Sequence, residues 1–313
     1  MKRIKMKNFD IVTLTINPAL DKSANFSGLI PEQKIRCETP RYDAGGGGIN
    51  VSKAISRLNG ESMCIYTSGG PIGLMLQECF EKETIASQVI LTKNWTRENF
   101  VAYDVSTQSQ YRFGFPGTAI SETEQAQIMA TITNLKPKYL VISGSINEGL
   151  SSSFYQAICV LMKNSDTKII VDTAGEALQK VLETGVYLIK PNIGELAKLM
   201  NVERLELNGV EAAAKKLIQN QSVEIVVVSL GPNGAILVTK DQTEFVAAPA
   251  VIKKSTVGAG DSMVGAMVWA LSQNKSFKEV LKWGVSCGTA ATMNEGTQLF
   301  NRDDAMKLFE DMK

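Results

Sequence analysis

The stretch YLVISGSINEGLSSSFYQAICVLMKNSDTKIIVD, residues 139–172, holds two apolar runs with a helical pattern between them. The runs YLVIS (residues 139–143) and KIIVD (residues 168–172) are rich in β-branched residues, which is typical of strands buried on both faces. The segment SSFYQAICVLMK (residues 152–163) has the pattern of a helix. A strand, a helix and a second strand in this order predict a parallel pair with a helical crossover.

The same alternation continues in both directions along the chain. Further buried strands are expected at residues 11–16 (IVTLTI) and 224–230 (EIVVVSL), and a further helix at residues 209–220 (GVEAAAKKLIQN). We therefore predict a doubly wound α/β fold, with a mostly parallel sheet and helices on both faces, in one domain over residues 1–313. Ligands of such sheets bind beyond the carboxyl ends of the strands.

Two segments interrupt the alternation. Residues 23–43 are polar with short β-like pieces around KIRCE, and residues 94–115 alternate in the manner of antiparallel hairpins. A small sheet with one apolar face is seldom stable alone. We therefore expect the two segments to form an accessory sheet that covers a site as a lid or pairs with another subunit.

The composition excludes several classes of function. Lys and Arg number 33 and Asp and Glu number 32, a net charge of +1, so neither a nucleic-acid partner nor a membrane-binding surface is expected. Because the chain has no histidine, acid–base chemistry has to come from other side chains. The five cysteines lack metal-binding spacing and are expected to be free thiols in a reducing compartment. Neither a signal peptide nor an apolar run of ~18 residues is present, so we expect a cytoplasmic protein.

A glycine-rich turn leads into a helical pattern at TVGAGDSMVGAM, residues 256–267. The first turn of a helix carries N–H groups without intrahelical partners, and glycine lets a ligand approach them, so this turn suits phosphate. Asp261 either caps the helix or accepts a proton from a substrate hydroxyl. The helix N-terminus should keep Asp261 ionised and therefore weakly basic. The spacing fits neither the P-loop nor the dinucleotide-binding pattern.

A second glycine run, AGGGGIN (residues 44–50), precedes a helical pattern over residues 51–58 that Gly60 is expected to stop. The glycines form either a flexible turn or a place where the backbone approaches a substrate closely. In the second case Asn50 would bond sugar hydroxyls.

Two more loops follow predicted strands. In KPNIGEL (residues 190–196), Asn192 and Glu195 have the spacing of a capping box, and the same pair could also serve a metal. The segment SLGPNGA (residues 229–235) reads on its own as a hairpin turn.

The two glycine segments, DAGGGGINVSKAISRLNG and TVGAGDSMVGAM, resemble the signature segments of the ribokinase-like carbohydrate kinases, the PfkB family. The resemblance spans almost the whole chain and includes TINPALD, WTREN, QYRFGFPG, VISGS, KPNIGEL, VVSLGPNGA and AATMNEGT. The uninterrupted GGGG, KIRC and YRFGFPG resemble the branch of minor bacterial ATP-dependent 6-phosphofructokinases. The resemblance implies a ribokinase-like fold with a small β-sheet lid, at about residues 23–43 and 94–115, and a homodimer formed through the lids.

The resemblance also implies roles for individual residues. The catalytic base would be Asp261, beside an anion hole of Gly258, Ala259 and Gly260. The sugar phosphate would contact Asp21, Gly46, Gly47, Asn50, Arg97 and Ser145, with Lys34 and Arg36 reaching its phosphate across the dimer. The nucleotide would contact Lys190, Asn192, Ser229, Gly231 and Gly234. Glu195 would hold Mg²⁺ through water, and carbonyls around Ser255, Val257, Ala291, Asn294 and Gly296 would hold K⁺.

Rival interpretations remain for several of these residues. Arginine suits phosphate because its planar fork forms paired hydrogen bonds. Arg97 could instead be a solvated surface charge, and the case for that alternative is stronger for Lys34 and Arg36. The family often has SGSLPPG where this chain has SGSINEG (residues 143–149), which makes the loop around Ser145 less rigid and adds Glu148.

We expect an enzyme that uses ATP and Mg²⁺ to make fructose 1,6-bisphosphate from fructose 6-phosphate. Tagatose-6-phosphate kinase and 1-phosphofructokinase remain open, because their acceptors differ by one stereocentre or by the phosphate position. A catalytically silent sugar-phosphate-binding protein is an alternative from another class. A nicotinamide oxidoreductase is disfavoured because the dinucleotide fingerprint is missing.

Overall fold

The computed structural model describes residues 8–220 and 223–312. Of the basic N-terminal segment, for which we expected no signal peptide, residues 1–7 lie outside the described residues. The strands are β1 (Ile11–Thr15), β2 (Ala19–Phe26), β3 (Arg41–Gly45), β4 (Met63–Ser68), β5 (Ala86–Leu91), β6 (Arg97–Asp104), β7 (Ser109–Gly114), β8 (Tyr139–Ser143), β9 (Lys168–Asp172), β10 (Val186–Ile189), β11 (Val223–Ser229), β12 (Ala235–Val238) and β13 (Thr243–Val246).

Helices follow most of the strands of the parallel part, as the alternation predicts. They are α1 (Gly47–Arg57), α2 (Gly70–Glu81), α3 (Glu122–Leu135), α4 (Phe154–Met162), α5 (Gly175–Leu182), α6 (Ile193–Leu199), α7 (Val210–Asn220), α8 (Ala259–Ser272), α9 (Phe277–Thr292) and α10 (Arg302–Asp311). In the described part of the chain, none of them is long and apolar enough to cross a membrane.

The large sheet has nine strands in the order β13-β12-β11-β10-β9-β8-β1-β4-β5. Neighbouring strands from β11 to β5 are parallel, and β12 and β13 join antiparallel at one edge. The strand order steps outward from β1 in both directions, which is the doubly wound arrangement. The predicted fold class is confirmed.

Both faces of the large sheet are covered by helices. Along β8, Leu140 and Ile142 pack with α3 to α7, whereas Val141 between them packs on the opposite face with α1, α8 and α9. Successive side chains of a strand point to opposite faces, so a strand covered on both sides must be apolar at every position. This is why YLVIS shows no polar alternation.

A second, four-stranded sheet has the order β3-β2-β6-β7, and we call it the small sheet. Strands β6 and β7 form the antiparallel hairpin that residues 94–115 predict. Strand β2 pairs parallel with β6 and antiparallel with β3. The expected β-like pieces around KIRCE are wrong, because residues 27–40 contain no strand. These residues are mostly exposed, so no packed face favours extended pairing there.

The end of α1 differs from the prediction at one residue. Asn59, not Gly60, takes the left-handed conformation after the helix, with φ of 56°. Asn tolerates this region better than most residues. Gly60 is needed for a different reason, because a Cβ there would lie 2.6 Å from the Trp269 ring and 2.8 Å from Ile55.

Candidate active site

Polar side chains collect at the carboxyl ends of neighbouring strands in the large sheet. Ser143, Asp172 and Ser229 end β8, β9 and β11, and Lys190 directly follows β10. Because these strands are parallel, their carboxyl ends meet at one edge, where doubly wound sheets bind ligands. The small sheet and the start of α8 complete the cleft at this edge.

Asp261 lies in the first turn of α8. The residue that caps this helix is Gly258, with φ of 72°, and no side chain caps it. The alternative that Asp261 is only a helix cap is therefore not supported. Its Oδ2 atom instead accepts a hydrogen bond of 2.9 Å from Asn50 Nδ2, which lies 211 residues earlier on α1. The two glycine segments of the sequence thus meet through their polar side chains.

The surroundings of Asp261 make it a better base than the sequence suggested. Burial raises its pKa to about 6, and the nearby Asp172 adds to the increase. The hydrogen bond from Asn50 and the charge of Lys190 act in the opposite direction but do not compensate. Asp261 is therefore still mostly ionised at neutral pH, as expected, but it is a stronger base than expected because burial raises its pKa. A pKa near the working pH suits a general base.

Asp172 is a site residue that the sequence analysis missed. Its Oδ1 atom lies 3.4 Å from the Nζ atom of Lys190, whose side chain is 7% exposed. Burial favours the neutral amine of Lys190, yet Asp172, Asp261 and Glu195 together raise its pKa, so it is held as a cation. The signal in the sequence was the position of Asp172 at the carboxyl end of a strand next to β10.

The four-glycine run bends the chain sharply between β3 and α1. Gly46 has φ of 126°, a conformation that side chains with a Cβ rarely adopt. Gly47 packs directly against Ser143, and a Cβ on Gly48 would lie 2.6 Å from the carbonyl oxygen of Leu14. The run is therefore packed closely rather than flexible.

Three side chains on the small sheet form a connected polar group. Asn99 Nδ2 donates to Asp21 Oδ1 at 2.8 Å, and Arg97 Nη1 donates to Asn99 Oδ1 at 3.1 Å. Burial raises the pKa of Asp21, although Asn99, Arg97 and Lys53 each oppose the increase. Burial lowers the pKa of Arg97, and its Nε atom is buried without a hydrogen-bond partner in the described part of the chain. Arg97 is therefore not a solvated surface charge.

Arg97 is connected to Ser145 through Asn17 of TINPALD. Arg97 Nη2 donates to the carbonyl oxygen of Asn17 at 3.2 Å, and Asn17 Nδ2 donates to Ser145 Oγ at 3.0 Å. Asn17 is 8% exposed and was not predicted as a site residue. Glu148, which departs from the family pattern, is exposed in the same loop.

Lys34 and Arg36 are not brought to the cleft within one chain. Both are exposed in the strand-free segment of residues 27–40. Across residues 8–220 and 223–312, no ion pair involves either side chain.

A cavity of about 620 Å³ adjoins the start of α8. Ser229, Gly231 and Gly234 line it, as does Gly260 of the glycine–aspartate turn. Its other lining residues are largely apolar or main chain, which suits a planar base. The segment SLGPNGA also forms the predicted turn between the antiparallel strands β11 and β12.

Asn192 and Glu195 form the predicted capping box at the start of α6. Glu195 N donates to Asn192 Oδ1 and Asn192 N donates to Glu195 Oε2, both at 2.9 Å. A Mg²⁺ ion bound mainly by phosphate and water needs only one or two carboxylates. Glu195 and Asp172 line one common cavity and fit that requirement. The capping role and a metal role are therefore compatible.

The residues predicted around a monovalent cation lie in the loop before α8, in the last turn of α9 and in the loop after α9. Ser255 Oγ donates to the Gly296 carbonyl oxygen at 2.9 Å, Val257 N donates to Ser255 Oγ at 3.2 Å, and Asn294 N donates to the Ala291 carbonyl oxygen at 3.3 Å. Main-chain carbonyl oxygens are hard donors of the kind that suits K⁺.

The chain is similar to named sugar-phosphate kinases over most of its length. The ATP-dependent 6-phosphofructokinase isozyme 2 of Escherichia coli is 38% identical, over 96% of this chain and 97% of that protein. A 1-phosphofructokinase of Borreliella burgdorferi is 31% identical over 90% of this chain and 92% of that protein. A tagatose-6-phosphate kinase of Staphylococcus epidermidis is 28% identical over 97% of this chain and 98% of that protein.

Solved structures show the same fold. Phosphofructokinase-2 from Escherichia coli in complex with potassium superposes with a TM-score of 0.93 at 38% identity. Its complex with fructose 6-phosphate has a TM-score of 0.92 at 36% identity, and both matches cover 96% of this chain and 98% of the other. The model of the pfkB family carbohydrate kinases matches residues 6–304. The chain is therefore a member of the pfkB family of carbohydrate kinases.

Proposed function

We propose that the protein is an ATP-dependent 6-phosphofructokinase, which transfers the γ-phosphoryl group of ATP to the C1 hydroxyl of fructose 6-phosphate. The observation that carries the proposal is the position of Asp261. Asp261 follows Gly260, which lines the 620 Å³ cavity, and it interacts electrostatically with Asp21 of the small-sheet polar group. It is bonded to Asn50 and has a pKa of about 6. A hydroxyl held beside this carboxylate would face the end of a nucleotide bound in the cavity.

The transfer uses Asp261 and the adjacent turn in separate roles. The C1 oxygen forms a bond to the γ-phosphorus while the bond from that phosphorus to the bridging oxygen of ADP breaks, and ADP leaves with the electron pair. Asp261 takes the hydroxyl proton, which in a loose transition state need move only late. The N–H groups of Gly258, Ala259 and Gly260 stabilise the charge on the transferred group, since the helix N-terminus is positive there.

The small sheet and the glycine run supply the sugar site. The Asp21 carboxylate accepts hydrogen bonds from the sugar hydroxyls, and the Asn50 amide exchanges hydrogen bonds with them. Main-chain atoms of Gly46 and Gly47 contact the ring. Arg97 binds the phosphate at C6. Its buried, unsatisfied Nε atom supports this assignment, because a buried donor without a partner is costly unless a ligand satisfies it. Ser145 reaches the same region through Asn17.

The remaining predicted residues serve the nucleotide and its ions. Ser229, Gly231 and Gly234 contact the base and ribose, while Lys190 and Asn192 approach the phosphates. Glu195 and Asp172 would hold Mg²⁺. The ion would neutralise negative charge on the phosphates. The carbonyls of the loops around Ser255 and Gly296 would hold K⁺ and order the adjacent turn.

The small sheet acts as a lid and as the contact between two copies of the chain. Its outer face carries Phe100 and Phe113 with ring centroids 6.0 Å apart, and Phe113 and Phe115 are 48% and 55% exposed. Exposed aromatic groups of this kind are typical of an interface. In such a dimer Lys34 and Arg36 of one copy would reach the sugar phosphate of the other.

Fructose 6-phosphate is favoured over tagatose 6-phosphate and fructose 1-phosphate by the higher identity to 6-phosphofructokinase, 38% against 28% and 31%. A panel of phosphorylated and free hexoses with MgATP, read by ADP release, tests the reaction and the acceptor together. We expect the highest kcat/KM with fructose 6-phosphate. A higher kcat/KM with either rival acceptor would reassign the substrate, and no ADP release with any sugar would indicate a binding protein instead.

A further inference from the structure

Arg112 lies on the inner face of the small sheet, in the motif QYRFGFPG to which the proposed mechanism gives no role. It pairs across the strands with Val101, and Val101 lies two residues after Asn99. Directly paired residues and residues two apart share one face of a sheet. Arg112 therefore projects to the same side as Asn99 and Asp21, into the cleft.

The guanidinium group of Arg112 reaches the turn that precedes α8. Its Nη2 atom donates to Thr256 Oγ1 at 2.9 Å, across 144 residues of sequence. Thr256 lies two residues before Gly258 and lines the nucleotide cavity together with Ala259 and Gly260. Arg112 thus brings a positive charge from the small sheet to the edge of the glycine–aspartate turn, residues 256–261.

The charge of Arg112 is not neutralised by the protein. Apart from Thr256, its guanidinium donates to Gln110 Oε1 at 3.1 Å, and within residues 8–220 and 223–312 it forms no ion pair with a carboxylate. Lys190, by contrast, is paired with Asp172. A neutral hydroxyl is a weaker acceptor for a guanidinium group than a phosphate oxygen.

We propose that Arg112 exchanges Thr256 for the terminal phosphate of a bound nucleoside triphosphate and stabilises the phosphoryl group during transfer. This inference rests on the proposed kinase function. Charge in a loose transition state spreads over the equatorial oxygens of the transferred group, and arginine is suited to bind them in a forked geometry. Arg97 then binds the phosphate of the sugar, and Arg112 binds the terminal phosphate of the nucleotide.

The test compares nucleotide binding by the full chain, measured by calorimetry with MgADP and with the magnesium complex of β,γ-imido-ATP. We expect Arg112→Ala to weaken binding of the triphosphate analogue about 10-fold while MgADP changes less than about twofold, because only the analogue has a terminal phosphate at this position. Turnover should fall about 10²-fold or more. Arg112→Lys should lie between the parent and Arg112→Ala, since it keeps the charge but loses the fork.

The matched control is Arg204→Ala, which removes an arginine that is 81% exposed and paired with Glu206. It should change the affinity for neither nucleotide. Equal weakening of both nucleotides by Arg112→Ala, or no weakening of the analogue, would overturn the inference while leaving the kinase proposal intact. If the parent protein binds neither nucleotide, the kinase proposal and this inference fail together.

Discussion

Opposing interactions set the pKa of a single residue, Asp261. The helix N-terminus, Asn50 and Lys190 favour its charged form, whereas burial and the neighbouring Asp172 favour the neutral form. Burial prevails and brings the pKa to about 6. A base of this strength is mostly ionised at neutral pH and still accepts a proton from an alcohol in a late transfer.

Replacing Asp261 by asparagine should remove the base while keeping the shape of the site. We expect Asp261→Asn to lower kcat by about 10²–10⁴-fold, because general bases contribute on that scale. The affinities for ATP and the sugar phosphate, measured by calorimetry, should stay within about threefold of the parent. Near-normal turnover in this variant would reject the assignment of Asp261 as the base.

The same substitution should affect stability in a pH-dependent way. The pKa of Asp261 is raised in the folded state from an ordinary value of 3.8 to about 6. The folded protein therefore loses stability as the pH rises from 3.8 to about 6, and the loss is complete above about 6. At pH 8 we expect Asp261→Asn to have a free energy of unfolding about 1–3 kcal/mol higher than that of the parent, and therefore a higher Tm. The difference should shrink as the pH falls from about 6 toward 3.8, because the folded protein then holds Asp261 in its protonated, neutral form. A pH-independent difference in Tm would contradict the raised pKa.

Replacing Arg97 should weaken binding of the sugar phosphate without weakening binding of the nucleotide. We expect Arg97→Ala to raise KM for fructose 6-phosphate about 10–100-fold, the scale of lost charged hydrogen bonds, and to leave KM for ATP little changed. Steady-state kinetics with each substrate varied in turn measures both values. An equal rise in both KM values would show that Arg97 supports the structure of the cleft rather than the sugar phosphate.

At the scale of elements, the glycine run determines how closely α1 approaches β1. Ile49 N donates to Thr15 Oγ1 at 2.9 Å, and Gly48 lies against the main chain of Leu14. This contact holds α1 where Asn50 can reach Asp261. A larger residue at Gly48 would push the helix away from the strand and from α8.

Gly48→Ala should therefore be destabilising, although alanine is the better helix former. The added Cβ would lie 2.6 Å from the main-chain oxygen of Leu14, and backbone cannot move aside as a flexible side chain can. We expect a loss of about 1–3 kcal/mol in the free energy of unfolding, measured with urea. The control is Gly114→Ala in β7, where the nearest atom would be 3.7 Å away and no such loss is expected. Equal stability of the two variants would mean that the contact at Gly48 relaxes freely.

At the scale of the whole molecule, the small sheet has two faces with different chemistry. The inner face carries Asp21, Asn99 and Arg112 toward the cleft, and the outer face leaves aromatic rings exposed. Residues directly opposite one another on β6 and β7, such as Phe100 and Phe113, share a face. The outer face therefore suits association of two copies, while the inner face suits ligands.

If two copies associate through the outer face as proposed, a charge placed there should dissociate them. We expect Phe113→Asp to shift the molecular mass from dimer to monomer in light scattering, because a buried unpaired carboxylate is costly at an interface. If Lys34 and Arg36 act across the dimer, KM for the sugar phosphate should rise with dissociation. Phe245→Asp is the control, since Phe245 is 57% exposed on β13 at the far edge of the large sheet. A dimer that survives Phe113→Asp would rule out this face as the contact.

Local pattern predicted much of this protein. The strands at residues 139–143 and 168–172 match the observed β8 and β9, and the helix predicted at residues 209–220 is observed as Val210–Asn220. Continuous apolar runs, a capping box at Asn192 and glycine turns are properties of a few neighbouring residues, so they can be recognised without knowledge of the tertiary contacts. The β-like pieces predicted around KIRCE are absent because its few apolar residues have no packed face to lie against.

The layered fold and the two glycine turns can be predicted from the amino-acid sequence, since they depend on periodicity and backbone conformation over short stretches. Three contacts are visible only in the folded chain: Asn50 bonds to Asp261, Asp172 pairs with Lys190, and Asn17 connects Arg97 with Ser145. These pairs are far apart along the chain, and the desolvation that raises the pKa of Asp261 arises from all the elements packed around it. Electrostatic strength depends on distance and burial in space, which a linear pattern of residues does not contain.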